Sequence, residues 1–188
     1  MSSLIPGKPR TIIPLRPGYW YMSPAQIDGG ATPAAITADR LYALPIELDT
    51  ATSIAKIGTY VTTGSATNLR FGLYTDVGGT PGALLWDSGS ISANLTNTEC
   101  AGTVGVVYPA GVYWLAMVGD GTPTIEYVTN GESLNVFGMT AVNLATRVYY
   151  VYKAHAYAAL PASFGAVTNS TSNSPGIRFQ VTAYNARY

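Results

Sequence analysis

The stretch "LRFGLYTDVGGTPGALLWDSG", Leu69 to Gly89, decides the fold class. Its first half alternates. Leu69, Phe71 and Leu73 point to one face and Arg70 and Tyr74 to the other, the two-residue period of a strand that covers a core on one side. A turn rich in glycine follows, and a second apolar run leaves it. Pro81 at i+1 and Gly82 at i+2 match the type II preference, while Gly78 and Gly79 can supply positive φ or a bulge. A hairpin or sheet-crossing corner accounts for all of it. Asp76 and Asp87 flank the loop and could bring two carboxylates to a calcium ion. The dense D-x-[DN]-x-[DN]-G spacing of a strong calcium loop is missing, so turn chemistry is the favoured reading.

Working outward, the same grammar recurs about every ten residues, with Gly, Pro, Asn and Thr between apolar runs. Strands are expected near 40–48, 53–62, 68–75, 83–92, 102–108, 111–119, 124–128, 133–138, 146–153 and 176–185. In 53–62 the alternation assigns Ala55, Ile57, Thr59 and Val61 to one face. Helical periodicity is confined to one turn's worth, "ITADRLYAL" at Ile36 to Leu44. Many short strands with turn-rich connections make an all-β chain, a sandwich or barrel. Two runs break the alternation. "GVYWLAMVG" (Gly111 to Gly119) is apolar on both faces, and "RVYYVYKAHAY" (Arg147 to Tyr157) nearly so. They are either central strands covered on both sides or strands whose second face meets another subunit.

Composition narrows the function classes. Of 188 residues, 47% are hydrophobic and 11% charged, against roughly 25% charged in an average domain. So little charge favours burial in an assembly, and self-association is expected, with a trimer the first candidate. The net charge is zero, which gives no bulk attraction to nucleic acid or membrane. The opening "MSSLIPGKPR" lacks a signal peptide's apolar core, and no apolar run reaches the roughly 18 residues of a membrane span. Synthesis in a cytoplasm is expected. The single cysteine, Cys100, permits no intrachain disulfide.

Residues 1–17 form a separate segment. Four of the 12 prolines lie here (Pro6, Pro9, Pro14 and Pro17), with Lys8, Arg10 and Arg16 and no acid. Proline fixes φ and removes amide donors, so the segment reads as an extended arm. The interleaved Leu4, Ile5, Ile12, Ile13 and Leu15 favour an arm that lies on a partner, with Ile5, Lys8, Arg10, Ile12, Ile13 and Arg16 as the docking residues. The sandwich is then expected over 18–188.

Catalytic signatures are weak. His155 is the only histidine, and neither it nor Cys100 can complete a zinc set. "GESLN" around Ser133 lacks the final glycine of a nucleophile elbow. No phosphate loop or dinucleotide fingerprint is present, and no acid pair points to glycoside hydrolysis. The sequence implies no enzyme, cofactor or metal site. The aromatic balance says more: 14 tyrosines and 3 tryptophans against 4 phenylalanines. Tyrosine and tryptophan join an apolar body to a polar tip, which suits sugar stacking and protein interfaces alike. The clusters are "YWY" at Tyr19 to Tyr21 and "YYVY" at Tyr149 to Tyr152, and Tyr149, Tyr150 and Tyr152 are the candidate glycan contacts. The basic groove of a single-strand nucleic-acid binder is missing.

A Y-x-x-P entry at Tyr21 and Pro24, "RLYALP" at Arg40 to Pro45, "GLYTD" at Gly72 to Asp76 and "GVYWLA" at Gly111 to Ala116 form a series. "LPASFG" and "SPGIRFQV" close it. The series, from about residue 19 to 182, resembles a β-sandwich module of tailed-phage virion proteins, the minor structural, tail-fibre and head-fibre proteins. That resemblance implies a jelly-roll-like antiparallel sandwich and a non-enzymatic structural role in the virion. The expected task is display or receptor binding on tail or head, with host surface glycan as a ligand and capsid, portal or tail proteins as partners. A capsid decoration or cement protein is the alternative within a virion, and a carbohydrate-binding module the alternative outside one. The resemblance carries no catalytic residue with it.

Overall fold

The computed structural model describes residues 15–24, 30–129 and 147–184. Among these there is no helix, and every strand pairing is antiparallel. The strands are β1 (Trp20–Met22), β2 (Ala31–Ala35), β3 (Arg40–Leu48), β4 (Thr52–Thr63), β5 (Asn68–Asp76), β6 (Pro81–Asp87) and β7 (Ile91–Ser92). They continue as β8 (Thr98–Tyr108), β9 (Gly111–Gly119), β10 (Thr124–Val128), β11 (Tyr150–Ala154), β12 (Thr168–Ser170), β13 (Ser174–Pro175) and β14 (Arg178–Tyr184).

They form two seven-stranded sheets packed as a jelly-roll-like sandwich. In the first, the long β4 is the spine. β8 runs along one edge of it, and β14 and then β10 share the other, with β1 beyond β14 and β2 and β13 on β10. In the second the order is β12-β11-β3-β9-β5-β6, with β7 also on β5. The main core lies between the sheets. Leu44, Ile46, Leu69, Phe71, Leu73, Leu115 and Met117 from the second sheet meet Ile54, Ile57, Val61, Ile125, Phe179 and Val181 from the first.

Local chemistry explains where the strands depart from the sequence expectation. Ile54 takes the core position next to Ile57, because β4 carries one extra residue between Ile54 and Lys56 relative to Val181 and Gln180 of β14, which reverses its side-chain parity. The expected helical turn at 36–44 is instead a turn followed by β3. Asp39 adopts φ +57, a left-handed conformation that aspartate tolerates better than most residues. The expected strand 83–92 splits into β6 and β7 at Gly89, φ +70. β8 starts earlier than expected and carries its own bulge at Gly105, φ +66. The short β1, β2, β12 and β13 were not expected. β2 contains Pro33 and pairs only with β10, an edge placement that proline permits. The expected strand 133–138 lies outside the described residues.

The two strands apolar on both faces are covered within the chain. β9 sits at the centre of its sheet, between β3 and β5. Tyr113, Leu115 and Met117 face the main core, while Trp114, Ala116 and Val118 face outward into a second cluster. Residues 155–167 fold across that outer face, placing Tyr157, Leu160, Phe164 and Val167 over Trp114, Tyr74, Leu41, Ala43 and Val151. The covering segment is tied at many points. Asp39 accepts the amides of His155 and Tyr157 through its carbonyl and Oδ1, at 2.9 and 2.8 Å. Tyr74 donates to the Pro161 carbonyl at 3.1 Å. Leu84 N–H donates to Ala162 O and Phe164 N–H to Gly82 O, both at 2.9 Å, which also closes the free edge of β6. The second face of these strands therefore no longer argues for a subunit contact.

Candidate binding notch on the open sheet

The Asp76–Asp87 loop is a hairpin turn, of a different type from the one expected. Val77 and Thr80 exchange backbone hydrogen bonds at 2.8 and 3.3 Å, and the two residues between them, Gly78 and Gly79, have φ +60 and +83. Two left-handed residues in a two-residue loop are the type I′ signature, whose twist matches that of the flanking strands. Pro81 and Gly82 lie in β6, past the turn, and Gly82 is not in the left-handed region. Glycine is needed there for room: a Cβ would come within 2.5 Å of Val77 Cγ2 and 2.7 Å of Thr75 Oγ1.

Both aspartates are occupied by the protein. Asp76 accepts from the Trp114 indole at 2.8 Å and from Gly79 N–H at 3.2 Å. Asp87 pairs with Arg70 at 2.9 Å and accepts the amides of Leu160 and Gly89, both at 2.9 Å. Asp87 thus fastens the covering segment to the sheet. Among the described residues no group of three or more His, Cys, Asp or Glu is placed to hold a metal.

The tyrosines singled out in the sequence lie at the core. Tyr149 and Tyr150 are buried and Tyr152 is half-buried against the main core. Tyr150 stacks in tilted fashion between Tyr42 and Tyr152, at centroid separations of 5.8 and 6.1 Å. The Arg40 guanidinium lies over the Tyr152 ring at 4.4 Å. Of the arm residues, Ile5, Lys8, Arg10, Ile12 and Ile13 lie outside the described residues. Arg16 is exposed, its guanidinium over Tyr19, while Leu15 already packs against the main core. Ser133 also lies outside the described residues. Cys100 is buried, and its thiol is pushed up to about 11 by desolvation and then by the Glu99 charge, which leaves it a poor nucleophile.

The outer face of the first sheet has a different character. Residues 155–167 cover only the other sheet, and this face carries a notch of about 330 Å³ lined by Trp20, Met22, Gly58, Tyr60, Glu99 and Arg178. Pairing builds it row by row. Met22, Arg178, Gly58 and Ala101 lie side by side across β1, β14, β4 and β8. Trp20, Gln180, Lys56 and Thr103 form the row on one side, and Tyr60 sits beside Glu99 on the other. The floor is low because Gly58 and Ala101 are small. A Cβ on Gly58 would meet the Ala101 Cβ at 2.4 Å, so the close approach of β4 and β8 itself requires glycine. Around this floor stand two half-buried aromatics, Trp20 and Tyr60.

The notch's charged groups are paired. Arg178 donates to Glu126 across β14 and β10, and Lys56 pairs with Glu99 at 2.9 Å. Gln180 Nε2 donates to the Gly18 carbonyl at 2.9 Å, tying the floor to the segment that leads into β1. Flat aromatic faces beside hydrogen-bonding side chains in an open depression can stack a ring and bond its hydroxyls. Nothing here resembles a nucleophile with an adjacent base. The sequence held the signal for Trp20, within "YWY", where alternation about Tyr21 sends Trp20 and Met22 to one face. It held none for Tyr60, Glu99 and Arg178, which reach the notch only through strand pairing.

No family model matches this chain, and none of the curated proteins is significantly similar to it.

Proposed function

We propose that this chain is a non-enzymatic display or receptor-binding sandwich of a tailed-phage virion, joined to its particle through the N-terminal arm, and that it recognises a surface glycan. The virion assignment is supported by the resemblance of its strand motifs, and the jelly-roll-like antiparallel fold is the one that resemblance implies. The binding role is carried by one observation. Trp20 and Tyr60 stand half-buried at the rim of the Gly58 floor, on the face that no other part of the described chain covers. Partly exposed tryptophan beside tyrosine is costly to leave wet and suits a ligand with an apolar face and polar edges. The glycan contacts are therefore assigned to the notch in place of Tyr149, Tyr150 and Tyr152.

The test is binding of the purified chain to host cells and to an immobilised glycan panel. Trp20→Ala and Tyr60→Ala should each abolish retention while leaving the unfolding midpoint near that of the parent. A protein that binds no glycan and no cell, yet protects purified capsids against heat, would assign it to the cementing role instead.

A further inference from the structure

We infer that the notch takes a neutral saccharide, because Trp20 and Tyr60 supply stacking surfaces while the Arg178–Glu126 and Lys56–Glu99 pairs cancel the notch's charge. The inference rests on the binding role proposed above and specifies its ligand class. Each cation near the floor has a carboxylate on it, and each carboxylate has a cation. The neighbouring outward positions add no net charge: Gln180, Thr103, Ala101, Thr62 and Thr124 are uncharged.

An acidic sugar approaching Arg178 would meet Glu126 at the same time, and one approaching Lys56 would meet Glu99. Opposed charges held this close give a field that decays quickly with distance, so they provide no steering for an anion. The same groups remain good hydrogen-bonding partners for hydroxyls. A carboxylate can accept two hydroxyl protons and a guanidinium or ammonium can donate to hydroxyl oxygens, without any ion pair having to break. A pyranose ring presents an apolar face of C–H groups and a rim of hydroxyls, which matches this arrangement of aromatic walls and paired polar groups.

The experiment measures retention of the full chain on neutral polysaccharides (dextran, galactan) and on uronate polysaccharides (alginate, polygalacturonate), across salt. The expected result is binding to a neutral polymer that changes by less than about twofold from about 50 mM to about 500 mM NaCl. Trp20→Ala should weaken it by about tenfold or more. Should Trp20→Ala fail to fold, Tyr60→Ala and Glu99→Gln carry the same test, since neither side chain belongs to the buried core. Binding confined to uronates, weakened by salt and dependent on Trp20, would overturn the ligand class while leaving the binding role intact. Neutral binding indifferent to both aromatic substitutions in folded protein would overturn the site. Retention on neither class, in a panel where host cells are also not bound, would remove the binding role itself.

Discussion

The two outer faces of the sandwich differ in what lies over them. On the β3-β9-β5 sheet the outward residues include Leu41, Ala43, Tyr74, Trp114, Ala116 and Val118, with Arg70 paired to Asp87 at their edge, and residues 155–167 seal the apolar ones beneath Phe164, Leu160 and Tyr157. On the β14-β4-β8 sheet the outward residues include Arg178, Gln180, Lys56, Tyr60, Glu99 and Thr103, and the notch opens between them. One face is a second core. The other is left open by the described residues, and Trp20 and Tyr60 stand there beside Met22 and the low floor of Gly58 and Ala101. The apolar outer face is thus accounted for by the chain's own fold, whereas the polar face, with its half-buried Trp20 and Tyr60, is the one on which the proposed binding role rests.

Substitutions should divide along this line. Phe164 is fully buried, and its ring meets Tyr74 edge-on at 5.2 Å. Phe164→Ala should cost about 3–5 kcal/mol, read by urea unfolding. Met22→Ala on the open face, where Met22 is 40% exposed, should stay within about 0.5 kcal/mol. Equal costs would mean that the covering segment contributes no packing and that the contrast between the faces is false.

A smaller contrast separates the ion pairs. Asp87 holds Arg70, the Gly89 amide and the Leu160 amide of the covering segment, and Asp87→Ala should cost about 1–3 kcal/mol and speed proteolysis within 155–167. Glu99→Ala, which removes a pair whose side chains are 43% and 41% exposed, should cost about 0–1 kcal/mol. Limited digestion followed by mass spectrometry locates the cut, and an unchanged pattern for Asp87→Ala would show that the segment is held by its apolar side chains alone.

The smallest effect appears at alkaline pH. Burial, reinforced by the Asp87 charge, raises the Tyr74 phenol well above its ordinary range. The folded state therefore keeps a proton that the unfolded chain releases from about pH 10. Its contribution is complete below that pH and declines as pH rises, at up to about 1.4 kcal/mol per pH unit. Tyr74→Phe should flatten the fall in denaturation midpoint between pH 9.5 and 11, an interval in which the unfolded phenol titrates at about 10. Tyr127, also raised by burial first, keeps a residual slope. A slope unchanged in Tyr74→Phe would show that the covered face admits water.

Much of this was legible in the chain. The period of two in Leu69–Leu73, the turn glycines and the recurring turn residues are local, so they announced an all-β fold and the strands β3, β5, β9 and β10 with little error. Bulges escaped notice because they are defined by the partner strand: nothing in "TSIAKI" says that Ile54 and Ile57 will share a face. The twofold apolar character of "GVYWLAMVG" was plain, and it correctly demanded two covers. The sequence by itself determined the class of fold and the need of β9 for a cover on both faces, because backbone geometry and side-chain period act over a few residues. Only the tertiary structure decided that residues 155–167 provide the second cover, that Asp87 serves as their fastening, and that Trp20, Tyr60, Glu99 and Arg178 meet over Gly58. Each of those depends on which strands lie side by side, and strand order is set by the packing of the whole core, with partners such as Gly58 and Arg178 separated by well over a hundred residues of chain.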